Sequence, residues 1–217
     1  MIYLISDLHG GEKTDALEKY LSVCMPADTL LILGDIGINW GHDEGMKSFT
    51  EYFLNLKANI AFIEGNHENH EYLNSFPEEK RFGDTVNVLT ENIVHLKRGG
   101  IFTIEGKTFF VMGGCESSTK WKEMGIWYPG EDPSPEEISA AKEKLRSAGY
   151  QVDYILTHKY VNKSHREKEV YTSDTLCGLM DFIEDNVTYR HWYAGHWHID
   201  KEVDEKHTFV YNLRLLD

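Results

Sequence analysis

The sequence predicts an α/β fold, and three observations carry that reading. "IYLIS" (2–6), "TLLILG" (29–34) and "IAFIEG" (60–65) are continuous apolar runs, as strands covered on both faces should be. Between them, "KTDALEKYLSVC" and "DEGMKSFTEYFLNLK" repeat apolar residues at helical spacing, with acids near their starts. Further on, "VNVL", "IVHL", "GIFTI" and "KTFFVMGG" form a second set of short strand-like runs separated by turn residues.

Taken in order, the first third reads βαβαβ, which implies neighbouring parallel strands joined by right-handed crossovers. The "EGK" between "GIFTI" and "KTFFVMGG" reads as a hairpin turn. "ESSTKWKEMGIWYPGEDPSPEE" is rich in Trp, Gly and Pro without a steady period, so residues 116–133 are expected to form a long structured loop. "SPEEISAAKEKLRSAGY" is a helix with Ser134 as N-cap, Pro135 at its first position, acids in the first turn and Gly149 at its end. "VDYILTH" reads as a strand, "DTLCGLMDFIEDN" as a helix, "YRHWYAG" as a strand and "TFVYNLRLL" as the last strand. No internal repeat or linker interrupts the pattern, and residues 1–217 are read as a single domain.

Bulk composition narrows the function classes. The chain of 217 residues is 41% hydrophobic and 27% charged, ordinary for a globular protein. Its formal charge of −14 argues against a surface that holds long nucleic acid through counterion release. Cys24, Cys115 and Cys177 are odd in number and form no C-x-x-C, so neither a disulfide framework nor a thiolate zinc site is expected, and a reducing cytoplasm fits. The chain starts directly in "MIYLISD" without a basic leader, and no apolar run approaches the roughly 18 residues of a membrane span. A soluble cytoplasmic protein without membrane contact is the expectation.

The chemistry sits where the strands stop. The runs end in "SDLHG", "GDIGIN", "GNHEN", "THKY" and "GHWH", each placing Asp, Asn or His at a carboxyl end, the edge where open α/β sheets bind ligands. The inventory is Asp7, His9, Asp35, Asn66, His67, His158, His196 and His198, with no thiolate among them. Oxygen and imidazole donors of this kind suit Mn²⁺, Fe²⁺ or Zn²⁺. They exceed what one tetrahedral zinc requires, whereas two metals bridged by a carboxylate would use them and would clamp both oxygens of an in-line phosphoryl displacement.

The ordered series D-L-H, G-D-I-G, G-N-H-E, T-H and G-H-W-H, running from Asp7 to His198, resembles the calcineurin-like metallophosphoesterase superfamily, whose pattern is D-x-H, G-D, G-N-H-[DE], a lone His and G-H-x-H. The resemblance implies a two-sheet β-sandwich flanked by helices, in four αββα layers, with the motifs on one edge. It further implies that Asp7, His9 and His198 hold one metal, that Asn66, His158 and His196 hold the other, and that Asp35 bridges both. A hydroxide between the metals would then be the nucleophile. His67 would stabilise developing charge or protonate the leaving oxygen, with Glu68 orienting it or acting as a first-turn acid of the next helix. Two divalent ions are implied as cofactors, manganese favoured, with iron, zinc or nickel as alternatives.

The chain departs from the phosphoprotein-directed members, which carry an arginine before G-N-H-E and an Asp-Arg pair after G-D. Here Glu64 precedes Gly65, and "GDIGINW" follows the second strand, so the guanidinium fork for a phosphate dianion is missing from both places. The expected substrate is therefore a small phosphorylated compound or a nucleotide, with long nucleic acid disfavoured. A serine/threonine-type protein phosphatase and a non-catalytic scaffold on the same fold are the alternatives. Among the remaining residues, "GGEKTD" (10–15) reads as a helix start, and His42, His70 and His165 as surface or supporting groups. Lys159, Lys163, Arg166 and Lys168 read as a basic turn or phosphate contacts, and Trp121, Trp127 and Tyr128 as a lid over the site or as core beneath a loop.

Overall fold

Two β-sheets face each other, and each carries helices on its outer side. The structure, a computed structural model, describes residues 1–41, 44–161 and 173–216. The first sheet has the order β13-β1-β2-β3-β6-β5-β4, built from β1 (Ile2–Ile5), β2 (Thr29–Leu33), β3 (Asn59–Ile63), β4 (Glu78–Arg81), β5 (Asp84–Val88), β6 (Ile93–Leu96) and β13 (Arg214–Leu215). Strands β1, β2, β3 and β6 are parallel, with Leu4 opposite Leu31 and Leu31 opposite Ala61, and antiparallel strands close both edges. The second sheet has the order β11-β12-β10-β9-β8-β7, from β7 (Ile101–Ile104), β8 (Lys107–Met112), β9 (Tyr154–Thr157), β10 (His191–Ala194), β11 (Lys201–Glu202) and β12 (His207–Phe209).

Helices α1 (Thr14–Val23) and α2 (Glu44–Leu54) cover the first sheet, packing Leu17, Tyr20, Phe49 and Phe53 on Leu30, Ile32 and Phe62. Helices α5 (Pro135–Ser147) and α6 (Asp174–Asn186) cover the second with Ile138, Leu145, Leu179 and Ile183. Between the sheets lies a separate apolar layer, in which Leu4, Leu31, Leu33 and Ile63 meet Phe109, Tyr154, Leu156 and Tyr193. Runs buried on both faces follow, because the centre of each sheet sees helix on one side and the other sheet on the other. The αββα layering expected from the resemblance is what the chain forms. At α5, Ser134 and Glu137 make a reciprocal capping box and Pro135 takes the first turn, as the sequence indicated.

Several elements differ from expectation. "TFVYNLRLL" is not one strand: β12 belongs to the second sheet and β13 to the first, so the chain changes sheets between them. Strand β4 is the charged run "EEKR", which gives no apolar signal because it is an exposed edge. Two short helices, α3 (His70–Asn74) and α4 (Thr119–Glu123), occupy segments without period, the second inside the expected long loop. Among the described residues, no helix is long and apolar enough to cross a membrane.

The edge of the second sheet is tied to α6 by a partly buried ion pair. His207 on β12 lies 2.9 Å from Glu184 and 2.7 Å from Asp204, and its ring stacks on Tyr160 at 4.5 Å. Burial alone would lower the imidazole pKa, but the two carboxylates override it and raise it. A raised folded value stabilises the protein below the unfolded value of about 6.5, and that contribution disappears as pH rises through the folded value. Solvent screens the partly exposed carboxylates and keeps the effect small. Urea titrations of wild type and His207→Gln should therefore show a stability gap of roughly 1 kcal/mol near pH 6 that narrows by pH 9. A gap independent of pH would mean that folding leaves the ring's pKa unchanged, and one that widens toward pH 9 would mean that the ring is held neutral; either would contradict the raised value.

Candidate metal centre

Five strand ends converge at one edge of the sandwich, and the seven candidate ligands and His67 meet there. Asp7 follows β1, His9 opens the 3-10 turn His9–Gly11, Asp35 follows β2, Asn66 and His67 follow β3, His158 follows β9, and His196 and His198 follow β10. Asp7, Asp35, Asn66, His67 and His158 are buried, and His198 is half exposed.

The donor atoms fall into two sets. In one, His9 Nε2 lies 2.9 Å from His198 Nε2, and His198 Nε2 lies 3.6 Å from Asp7 Oδ1. In the other, His158 Nε2 lies 3.2 Å from Asn66 Oδ1 and 3.3 Å from His196 Nδ1. Asp35 stands between them, with Oδ1 3.4 Å from His158 Nε2 and Oδ2 3.7 Å from His9 Nε2. Ligand atoms of Asp7, Asp35 and His158, of Asp7, His9 and His198, and of His9, Asp35 and His67 each lie within 4.8 Å of one another.

A cation-binding role fits this donor set on its chemistry. Imidazole nitrogens face one another across hydrogen-bond distance, and two buried carboxylates share the pocket. Burial raises the Asp7 carboxyl to about 6, and burial lowers the His9 ring to about 4. Burial opposes a charged Asp35 as well, yet His158 and His67 hold its carboxyl well below the usual range. His158 is the counterpart: burial works against its charged form, but Asp35 lifts the ring to about 9. Divalent cations would meet the same demand for positive charge more fully than one protonated ring.

The surrounding contacts fix which atom of each side chain points inward. His158 Nδ1 donates to the Leu33 carbonyl at 2.8 Å, which leaves Nε2 as the ring nitrogen that faces the cluster. Asn66 Nδ2 donates to Ser117 Oγ, and the Ser117 backbone N–H donates to the buried Glu131 carboxylate, so the amide oxygen of Asn66 faces the cluster. Asp7 accepts the His196 N–H, and Asp35 Oδ1 accepts the His67 N–H at 2.8 Å.

The backbone is strained where the donors stand. Of the nine non-glycine residues at positive φ among the described residues, five are Asp7, His9, Asp35, His196 and His198. Each such residue costs about 1–3 kcal/mol and persists only where its surroundings fix it. Glycine is required at Gly65, because a Cβ there would fall on the Asp35 carboxylate and on its backbone nitrogen.

Glu68 neither orients His67 nor starts a helix. Its carboxylate accepts the backbone N–H groups of Asp35, Ile36, Gly37 and Gly65, stitching the loop after β2 to the loop after β3. Burial and the Asp35 charge push its pKa up to about 8, against those N–H groups, which favour the ionised form. Glu64, where an arginine was missing, faces away from the centre: it pairs with Arg98 and lies 2.7 Å from His95. His70 is buried beside Arg98 rather than on the surface, and burial with that guanidinium lowers it to about 3. The "GGEKTD" stretch does lead into α1, and Lys13 within it lies 3.4 Å from the centre of the Tyr211 ring, on which His198 stacks. His42, Lys163, His165, Arg166 and Lys168 lie outside the described residues.

Two groups escaped the sequence reading. Trp40, in the loop after β2, stacks on His67 with centroids 4.4 Å apart and meets Trp121 at 5.8 Å. With Trp121 and Trp197 it lines a cleft of about 500 Å³ that opens onto His9, Asp35, Asn66, His67 and His198. Trp127 does not line the cleft, and Tyr128 reaches the Asn39 carbonyl. Cys115, after β8, is fully buried with its Sγ 3.2 Å from Asn66 Oδ1, so a sulfur stands beside the oxygen and imidazole donors. Its sequence signal, an apolar strand running into glycine and then a polar or ligating residue, is the one that Asp35, Asn66 and His196 also carry.

A family model described as calcineurin-like phosphoesterase matches residues 1–200. No curated protein matches the chain. Among solved structures, it is similar to the protein of unknown function AQ665 from Aquifex aeolicus, with 18% identity and a TM-score of 0.42 over 75% of this chain and 81% of that one. It is also similar to TT1561 of Thermus thermophilus, with 14% identity and a TM-score of 0.48 over 97% and 87%. A further crystal structure covers 96% of this chain and 88% of its own at 10% identity and a TM-score of 0.50, a likeness of fold.

Chelation should lower the melting temperature, and Mn²⁺ or Zn²⁺ should restore it. Binding at a hundred times Kd stabilises by about 2.7 kcal/mol, roughly 5–10 °C for a chain of this length. A melting temperature indifferent to chelator and metal would contradict a cation site here.

Proposed function

The chain belongs to the calcineurin-like phosphoesterase family, and from that premise we propose that it is a metal-dependent hydrolase of phosphoesters, above all diesters that carry a nucleobase or a similar planar group. The observation that supports this reading most strongly is the Asp35 carboxylate, whose two oxygens face two separate donor sets. Asp7, His9 and His198 with Asp35 would hold one divalent cation, and Asn66, His158 and His196 with Asp35 the other. Cations bound there supply Lewis acidity, which polarises the phosphoryl group and acidifies the attacking water.

The chain's own residues do the rest. His67 lines the cleft, held by Trp40 on its face and by Trp121 edge-on at 5.2 Å. Burial lowers its pKa, outweighing Asp35, so near neutral pH the ring acts as a neutral N–H donor to a phosphoryl or leaving oxygen. Lys159 is the one cation among the described lining residues, while Glu12 and Glu116 stand on the same walls. With no guanidinium fork among those lining residues to hold a further anionic oxygen, the site suits a diester better than a monoester dianion, and its acidic walls disfavour phosphoproteins and long duplexes. Trp40, Trp121 and Trp197 offer flat apolar surface for a base.

Two outcomes are expected from assays with added Mn²⁺. His67→Ala should lower kcat by roughly 10²–10³-fold on a diester with an alkoxide leaving group and by less on a nitrophenyl ester, whose leaving oxygen needs little help. An equal loss on both would remove His67 from the leaving-group side. Trp121→Ala should lower kcat/KM by about 5–150-fold for a nucleotide diester and leave a small alkyl diester unaffected. Equal losses for both substrates would deny base stacking, and no turnover of any ester by the wild type would favour a scaffold.

A further inference from the structure

The thiol of Cys115 sits inside the donor set that holds His158 and His196. Its Sγ lies 3.2 Å from Asn66 Oδ1 and 3.7 Å from His196 Nδ1, and the sulfur and both imidazoles lie within 4.8 Å of one another. In a tetrahedral site with nitrogen ligands at 2.0–2.1 Å and sulfur at 2.3 Å, simple geometry puts two nitrogens about 3.3 Å apart and nitrogen and sulfur about 3.6 Å apart. His158 Nε2 and His196 Nδ1 are 3.3 Å apart, and Cys115 Sγ is 3.7 Å from His196 Nδ1. The sulfur therefore lies at the separation from His196 that two ligands of one ion show, and with Asn66 and Asp35 it would bring that ion to five protein ligands.

The position is also built. Cys115 follows β8, which pairs in parallel with β9, and β9 carries His158 at its end. The residue is fully buried among Phe110, Met112, Leu176 and Tyr160, so the sulfur is shielded from solvent and faces the cluster with its one polar atom. The simpler role is a buried thiol that donates its hydrogen to Asn66 Oδ1. A thiol shared between Asn66 Oδ1 and His196 Nδ1 accounts for these two contacts, whereas a coordinating sulfur accounts as well for His158, whose ligand atom lies within 4.8 Å of both the sulfur and His196.

We propose that Cys115 is a thiolate ligand of the cation held by Asn66, His158 and His196, which makes the two halves of the centre chemically unlike. The inference rests on the two-cation reading given above. On coordination the S–H bond breaks, the sulfur keeps the electron pair and donates it to the cation, and the proton leaves to solvent. The Asp7, His9 and His198 half keeps only oxygen and imidazole donors, suited to Mn²⁺ or Fe²⁺. The Cys115 half, with a soft donor, selects Zn²⁺ or Co²⁺ over Mn²⁺.

Cobalt loading of the metal-free full chain tests this by absorption. Visible ligand-field bands report that Co²⁺ is bound, and a near-ultraviolet thiolate-to-cobalt charge-transfer band reports sulfur in its coordination sphere. The wild type and a Cys24→Ser, Cys177→Ser double variant should show both bands. Cys115→Ser should keep the visible bands and lose the charge-transfer band. Its Zn²⁺ affinity should fall by at least the roughly 10–100-fold typical of losing an outer partner, with a smaller change for Mn²⁺. Visible bands without charge transfer in the wild type would overturn the proposal while leaving the two-cation reading in place, and this outcome needs no variant to fold. Charge transfer that survives in Cys115→Ser would overturn it equally. A wild type that binds no cobalt would overturn both.

Discussion

A buried carboxylate that must be shared organises this molecule. Asp35 stands at the end of a central strand with almost no access to water, and burying a charge there is costly unless it is matched. The match comes from several directions. The His67 N–H donates to Oδ1, His158 stands beside Oδ1, and His9 stands beside Oδ2. Each partner arrives from a different strand end, so the carboxylate is satisfied only when both sheets are packed in their final relation. Site and sandwich are in this sense one structure.

The price of such convergence is visible in the backbone. Five donor residues hold positive φ, a conformation that side-chain-bearing residues adopt reluctantly. Glu68 counteracts the strain by collecting N–H groups from the loops after β2 and β3, which would otherwise be buried without partners. The Glu131, Ser117 and Asn66 chain does the same from the side of the second sheet, and it turns the amide oxygen toward the cluster. Rigid positioning of this kind keeps donor atoms in place, so little reorganisation is needed when charge moves.

The seven candidate ligands and His67 were legible in the sequence because each follows an apolar run, and the carboxyl edge of a sheet is where such residues meet. The layering was legible for a related reason, since strands apolar on both faces demand cover on both sides. What escaped depends on approach through space. Glu68 reads as an acid near a helix start, but its partners include backbone groups more than thirty positions away. Cys115 reads as an ordinary residue after a Gly-Gly turn until β8 and β9 pair. Trp40 becomes a cleft wall only once His67 lies against it. The last apolar run gave no hint that the chain changes sheets, because both halves are apolar and only the packing distinguishes them.

Anomalous diffraction from crystals grown with Mn²⁺ or Zn²⁺ would show whether Asp35 joins two cations. Two peaks are expected, one on each side of the Asp35 carboxylate, the first against His9, His198 and Asp7 and the second against His158, His196 and Asn66. A single peak, or none within bonding distance of Asp35, would contradict the account.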